Sequence, residues 1–572
     1  MSRSPSGHLL PASKLASMFA VLVGVGVAFG IMMAFVSNVF VIGVRTLTNL
    51  RENADFLNFS LGGVDLSLAP LMAILIAAMA ILVIRKIFGI TRWHGPADSI
   101  YAAHRTDNEL DVKAGMGSTL AAFVSASGGA SVGQYGPLVH FGATIGSLLR
   151  QVTGNRLTTD IFIGCGVAGA IAAGFNAPVA GVVFAHEAIL RHFSVRAVTP
   201  IAIASITSAG ISKWLFGDNH AFAGVPSISL VETLPVALVA GPVFGIIAVL
   251  YMMAIRRSAQ IAGSSGLSPA RLILIAAVLT GCVGMVLPEV LGLGTGTVLD
   301  MLSMKMALTM LLVIMVAKTV MTALCVGFGL FGGLFSPALF VGSAAGGSLH
   351  QMLGAIGITV GGPVMVVCGM AAVASAVIGA PVTGILIMLE MTMSYEYALA
   401  TMLSVVTAAL ISQHLYGHSF FDRQLLDRGI DIAQGRGHLE MMELSVETIV
   451  SREFLAARPD ETKGKVISRM IDKGVSEGYL LHDARYLGKF TLQEIMKLTD
   501  DQPVSDASDS DAISIKHDAS LMQAIEVASD FVGESIPVVN RETGQMLGIV
   551  TEGDIFRLYL KTQNTIMDLE HS

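Results

Sequence analysis

Apolar and polar positions divide this chain in two. Up to about residue 415, apolar runs follow one another, among them "LASMFAVLVGVGVAFGIMMAFV" near 15 to 36, "LAPLMAILIAAMAILVI" near 68 to 84 and "LPVALVAGPVFGIIAVLYMMAI" near 234 to 255. A bilayer core takes roughly 20 mainly apolar residues per helical crossing, so several runs predict spanning helices. Others are shorter and cut by Gly or Pro. They predict discontinuous helices around a central site, because irregular backbone survives in a membrane only where protein or water satisfies it. A bundle of ordinary kinked spanning helices is the alternative. From "GHSFFDRQLLDRG" onward charges become common. There "SIPVVNRETGQMLGIVTEGDIFRLYL" reads as strand, polar turn, strand and amphipathic helix, and "EGYLLHDARYLGKFTLQEIMKL" has the same outline. Two copies of a small strand–turn–strand–helix unit are expected.

Composition agrees. Of 572 residues, 53% are hydrophobic and only 13% charged, against about one quarter charged in soluble proteins. A net charge of −7 suggests no nucleic-acid partner. The first apolar run is too long for a cleaved signal and lacks a small-residue cleavage pattern, so it is expected to be retained. With the first two helices as a hairpin, Arg3, Lys14, Arg85 and Lys86 fall on the cytoplasmic side, while Arg45 and Arg51 count against that orientation. Both termini are expected inside, with the chain integral to an inner or plasma membrane. Cys165, Cys282, Cys325 and Cys368 lie in apolar text with no CxxC or metal-ligand spacing, and read as small buried hydrophobes.

The apolar part repeats. "VGQYGPLVHFGATIGSLL" aligns with "GGLFSPALFVGSAAGGSL" at an offset of 200, pairing Gly133 with Gly333, Pro137 with Pro337, Gly142 with Gly342 and Gly146 with Gly346. Farther on, "NAPVAGVVFAHE" matches "GAPVTGILIMLE", pairing Pro178 with Pro381, Gly181 with Gly384 and Glu187 with Glu390. Two matches in the same order argue for duplicated halves. Pro is tolerated in a helix's first turn, and Gly133 and Gly136 permit tight bends before Pro137. A helix starting there leaves N–H groups pointing out of its positive end within the membrane, where an anion can accept them. The segment before Pro337 offers the same arrangement, and "FNAP", 175 to 178, a third. Packing notches for close helix contact are the other reading of these glycines. Glu187 and Glu390 read as structural, each either ending its helix near the interface or accepting backbone hydrogen bonds, with a proton relay through His186 and Glu187 as the alternative. Lys318 either snorkels or lends positive potential to an anion path.

These residues resemble the CLC family of chloride channels and transporters. "GQYGP" is similar to that family's GREGP motif and "GLFSP" to its GxFxP motif, while "FNAPVAGVVFAHE", "PEVLGLGTG" and "KTVMTALCVGFGLFGG" have familiar outlines. The resemblance covers about residues 15 to 430, and the tail resembles a pair of CBS domains, the second copy matching better. It implies an all-α polytopic membrane domain, 1–430, of two inverted repeats of broken, tilted helices, followed by a small α/β cytoplasmic CBS pair, 431–572, with a regulatory role. It further implies a homodimer in membrane lipid with one anion pathway per subunit, and no enzyme activity. Gly133, Gln134, Tyr135 and Gly136, with Gly333, Leu334 and Phe335, are then expected to line the path.

Four positions depart from the family's pattern. Its gating glutamate falls on Tyr135, its GSGxP serine near Trp93 in "RWHGP", and its chloride-contacting tyrosine on Phe421. The second glutamate of proton-coupled members falls on Ala188. A tyrosine with an ordinary pKa near ~10 stays neutral and cannot repeat the cycle of a glutamate. It can donate its O–H to an anion or plug the pore by size. Passive conduction of chloride or a similar small anion, not coupled to protons, is therefore expected. Alternatives are an anion/proton antiporter using His186 or Glu187, and a nonconducting membrane sensor. No cofactor or metal is required. In CBS pairs a (Ser/Thr)-x-x-Asp sequence places an Asp on ribose hydroxyls, and Thr551 and Asp554 match it, so ATP, ADP or AMP at this site is one reading. A plain helix cap is the other.

Overall fold

The computed structural model describes residues 12–571 except 55–56, 62–63, 106–108, 154–158, 194, 218–221 and 223. Arg3, used above for orientation, lies outside the described residues. The chain forms two compact units, Met1–Ala103 with Asp107–Gly429, and His104–Thr106 with Ile430–Ser572.

In the first unit, among the described residues, six helical spans are long and apolar enough to cross a membrane: Ala16–Glu52, Ala69–Ile87, Leu230–Ser264, Pro269–Val286, Leu308–Phe328 and Tyr395–Leu426, the last made of the helices Tyr395–Tyr416 and Phe420–Leu426. Four further apolar helices, Ile161–Phe175, Pro178–Leu190, Gly362–Ile378 and Pro381–Thr392, are shorter, at 10–17 residues. At 1.5 Å per residue they fall short of a hydrocarbon core of roughly 30 Å. These are the broken helices that the Gly and Pro interruptions predict. A two-stranded hairpin, Asn58–Leu61 against Val64–Ser67, lies between the helices Ala16–Glu52 and Ala69–Ile87 and was not visible as an alternation in the sequence. Cys165, Cys325 and Cys368 are buried as expected, but Cys282 is exposed. It lies on the outward side of Pro269–Val286, where an apolar residue faces lipid as readily as core.

The duplicated halves place matching helix ends and starts in the same order. Helices Val112–Gly128 and Leu308–Phe328 each stop on a left-handed glycine, Gly129 at φ 99° and Gly329 at φ 101°. The next helices begin at Tyr135 and Phe335, and later ones at Pro178 and Pro381. The two interruptions meet. Gly133 N donates to Gly333 O and Gly333 N to Gly133 O, both at 2.6 Å, in an antiparallel bridge. The exchanged bonds relate these two interruptions by a local two-fold. The packing-notch reading holds for another pair of the matched glycines. A methyl on Gly142 would sit 2.4 Å from Gly166 O, and one on Gly342 2.2 Å from Gly369 O, so these helices touch backbone to backbone.

The second unit holds two three-stranded sheets. In the first, Glu477–His482 pairs antiparallel with Arg485–Thr491 through a turn whose Asp483 and Ala484 both have positive φ, the geometry of a tight hairpin. In the second, Ile536–Val539 pairs with Met546–Val550, and Asn540 Oδ1 ties the "NRETG" turn by accepting from Glu542 N and Thr543 N. Each sheet covers its own apolar core, one centred on Val466, Met470 and Phe490, the other on Leu521, Ile536 and Val550. A polar seam joins them. Lys489 Nζ lies 2.7 Å from Glu477 Oε2 and donates to Ser535 O, while Glu477 also accepts from the amides of Glu534 and Ser535.

Candidate functional site

The helices Tyr135–Thr153 and Phe335–Ala355 start against each other, close enough that a methyl on Gly333 would lie 2.9 Å from Gly136 N. Among the described residues, the amides of Tyr135, Gly136, Phe335 and Ser336 find no acceptor. Two positive helix ends thus present bare donors at one place inside the apolar unit. A cavity of about 70 Å³ opens beside them, room for several waters or a small anion.

Of the residues expected to form the path, Trp93, Tyr135, Gly136, Gly333, Leu334, Phe335 and Phe421 line this cavity, while Gly133 and Gln134 do not. Gly133 and Gly333 spend their amides on each other, so the bridge positions the site rather than offering donors. Trp93 is fixed by its indole N–H, which donates to Gly329 O at 3.1 Å, and by stacking on Phe331. Tyr135 stacks face to face on Phe175 at 3.7 Å between centroids, and Phe335 meets both rings edge-on. The Tyr135 hydroxyl donates to Gly174 O at 3.2 Å. In this arrangement its hydroxyl is held by the backbone while its ring lines the cavity.

Asp98, which the sequence did not single out, also borders the cavity. It accepts from Arg92 at 2.7 Å, from Arg428 at 2.9 Å and from Gly95 N at 2.8 Å. One carboxylate against two guanidinium groups leaves a local excess of positive charge, which favours an anion nearby.

The third helix start, at Pro178, corrects an expectation. Val179 N and Ala180 N donate to Glu390 at 2.9 and 2.8 Å, so a carboxylate of the other repeat already fills that end. Reciprocally, Glu187 accepts from Val382 N at 2.9 Å, Thr383 N at 2.7 Å and Thr383 Oγ1 at 2.6 Å at the start of Pro381–Thr392. The matched glutamates therefore cap each other's helices, as their backbone-accepting reading anticipates, and neither Glu187 nor His186 lines the cavity. His186 sits in a π-helical turn, Ala185–Leu190, with Nδ1 2.8 Å from His192 O and its ring stacked on Phe193. Lys318 does not snorkel. It is wholly buried, donating to Val290 O at 2.9 Å and Gly292 O at 2.7 Å, with its ammonium over the Phe340 ring.

In the second unit, Thr551 and Asp554 form a helix cap. Thr551 Oγ1 donates to Asp554 Oδ2 at 2.6 Å, and Asp554 N donates back to Thr551 Oγ1 at 3.1 Å. Arg557 lies 3.3 Å from Asp554 Oδ1. Thr491 and Glu494 build a full capping box in the first copy.

Residues 76–413 match the family model described as voltage gated chloride channel, and residues 504–561 match that of the CBS domain. The chain is 27% identical over 450 residues to an H(+)/Cl(-) exchange transporter, ClcA, of Vibrio parahaemolyticus, covering 73% of this chain and 91% of the relative. Its fold is similar to that of a slow cyanobacterial Cl-/H+ antiporter, with a TM-score of 0.62 at 21% identity over 74% of this chain and 99% of the other. It is also similar to a eukaryotic CLC transporter, with a TM-score of 0.61 at 18% identity over 94% and 98%.

Proposed function

Because this chain belongs to the voltage-gated chloride channel family, whose members are anion transporters and channels rather than enzymes, we propose that it conducts chloride or a similar small anion passively. The path runs through the cavity between the Tyr135 and Phe335 helix starts. The observation that carries this reading is Tyr135 itself. A neutral ring held by Phe175, Phe335 and Gly174 O stands where a titrating carboxylate would be needed to carry a proton. The other carboxylate, Glu187, is committed to the amides of Val382 and Thr383. Bare amides hold an anion through partial charges, firmly enough to replace water and loosely enough to release it.

A second reading, proton-coupled exchange, is favoured by the relatives, which are named as exchangers and antiporters. The two are separated by reconstituting the protein in liposomes and following anion and proton flux together. Passive conduction predicts anion efflux with no uphill proton movement under an anion gradient; protons driven uphill at a fixed ratio would overturn it. No anion flux at all would favour a nonconducting sensor. The tail is proposed to lie in the cytoplasm and to bind ATP, ADP or AMP beside Thr551 and Asp554, with the protein a homodimer. Equilibrium binding of each nucleotide to wild type and Asp554→Ala tests the nucleotide site, and equal affinity rejects it.

A further inference from the structure

A second cavity lies in the membrane unit, away from the anion path and sharing none of its lining residues. About 180 Å³ in volume, it is lined by Met253, Arg256, Arg257, Gln260 and Tyr416. Its place follows from the chain. The helix Leu230–Ser264 has 35 residues, about 52 Å at 1.5 Å per residue, against a hydrocarbon core of roughly 30 Å. Its apolar run ends at Ile255, and "RRSAQ" follows, so the two arginines fall at the membrane boundary. Tyr416 ends the neighbouring helix Tyr395–Tyr416.

Donors outnumber acceptors here. Arg257 is exposed and, among the described residues, has no acidic partner. The Tyr416 hydroxyl is buried without a hydrogen-bond partner among the described residues. Gln260 adds an amide. The nearby carboxylate is Asp427, which accepts from Arg256 Nε at 3.1 Å and NH2 at 2.8 Å and lies 3.6 Å from Arg423 Nε. Three guanidinium groups against one carboxylate leave an excess of two positive charges beside an orphaned hydroxyl. A tetrahedral oxyanion with several acceptor oxygens suits that set, and guanidinium pairs it well.

We propose that this cavity binds a phosphate group, either of an anionic phospholipid headgroup or of free phosphate. Basic clefts between membrane helices at the lipid boundary are suited to the former. Asp427 follows Phe420–Leu426, the helix whose Phe420, Phe421 and Gln424 line the anion cavity. A phosphate on Arg256 competes with Asp427, so occupancy acts on the end of that helix. This consequence rests on the transport reading; the binding itself does not.

The test uses the full-length purified protein. Native mass spectrometry counts phosphatidylglycerol retained by wild type, Arg257→Gln and Tyr416→Phe, with phosphatidylcholine as the neutral arm and inorganic phosphate as the soluble one. The expected result is selective retention of phosphatidylglycerol by wild type and about fivefold weaker retention by Arg257→Gln, the share of one basic side chain near an anionic surface. Selective retention of inorganic phosphate, lost in the same variants, assigns the site to free phosphate. Equal retention by all three proteins, or of phosphatidylcholine as well as phosphatidylglycerol, overturns the site. Arg257 and Tyr416 lie outside the anion path, and gel filtration with thermal unfolding shows whether either variant is misfolded. If Tyr416→Phe misfolds, Gln260→Ala replaces it, with weaker retention again expected. In liposomes, flux that does not differ between phosphatidylglycerol and phosphatidylcholine membranes refutes the link through Asp427 while leaving the binding result standing.

Discussion

Replacing Glu187 by Ala separates a structural carboxylate from a proton carrier. The side chain accepts three hydrogen bonds, from Val382 N, Thr383 N and Thr383 Oγ1. Val382 is 51% exposed, so an outside acceptor such as water can replace its bond at small cost, whereas Thr383 is 0% exposed and its bonds cannot be replaced. A hydrogen bond to a charged group contributes roughly 1.5–3 kcal/mol, which puts Glu187→Ala at about 3–6 kcal/mol. The reciprocal glutamate gives an internal control. Glu390 holds Val179 N, on a residue 54% exposed, and Ala180 N, on one wholly buried. By the same reasoning Glu390→Ala costs roughly 1.5–3 kcal/mol, about half as much. Glu187→Gln keeps one acceptor oxygen and falls between. The assay is thermal unfolding of the detergent-purified protein at a fixed scan rate, because membrane proteins of this size unfold irreversibly. The expected order of stability is wild type, Glu390→Ala, Glu187→Ala, with proton flux relative to anion flux unchanged in Glu187→Gln. If Glu187→Ala unfolds with wild type and instead alters proton movement, the clamp is the wrong account of this residue.

Three further outcomes follow from the same geometry. Tyr135→Ala removes the ring stacked on Phe175 and is expected to raise anion efflux by tenfold or more; unchanged efflux would show that Tyr135 does not obstruct the path. Gly333→Ala puts a methyl 2.9 Å from Gly136 N and 3.1 Å from Gly133 O, contacts made by backbone that cannot move aside, so expression of folded protein should fall sharply on fluorescence-detected gel filtration. In the second unit, burial pushes the Tyr486 phenol from 10.0 up to about 12 and raises Tyr479 too. Their contribution to tail stability is fully present below pH 10 and is lost as pH rises through the folded values, so alkaline unfolding should begin above about pH 10 and proceed with phenolate absorbance. Phenolate assigned to Tyr479 or Tyr486, by difference from the Tyr479→Phe and Tyr486→Phe variants, appearing near pH 10 with the tail still folded would contradict this.

Much of the architecture was legible because it rests on local chemistry. The Gly and Pro pairs 200 residues apart mark where helices must stop and restart, and the helices begin there. The turn "NRETG" and the capping pairs Thr491–Glu494 and Thr551–Asp554 likewise depend on neighbours in sequence. What sequence could not supply is how distant groups cancel. Gly133 looks like an available donor until Gly333 takes its amide. Pro178 looks like an empty helix start until Glu390 fills it. Asp98 gave no motif, because its significance lies in Arg428, 330 residues on. Phe175 entered the sequence reading only as the first letter of "FNAP", and only the fold brings it face to face with Tyr135.

The exchange of carboxylates between repeats also sets a timetable for synthesis. The helix start at Val179 leaves the ribosome 211 residues before Glu390, the group that covers it. At 5–20 residues per second that is an interval of about 10–40 s. Throughout it, the amino-terminal half sits in the bilayer with polar backbone that no residue yet made can cap, while its own Glu187 waits for a start not yet translated. Neither half can mature ahead of the other. Where two nascent chains lie side by side, the carboxylate that arrives first can come from the neighbour, and an intertwined product is the characteristic misassembly of such a design.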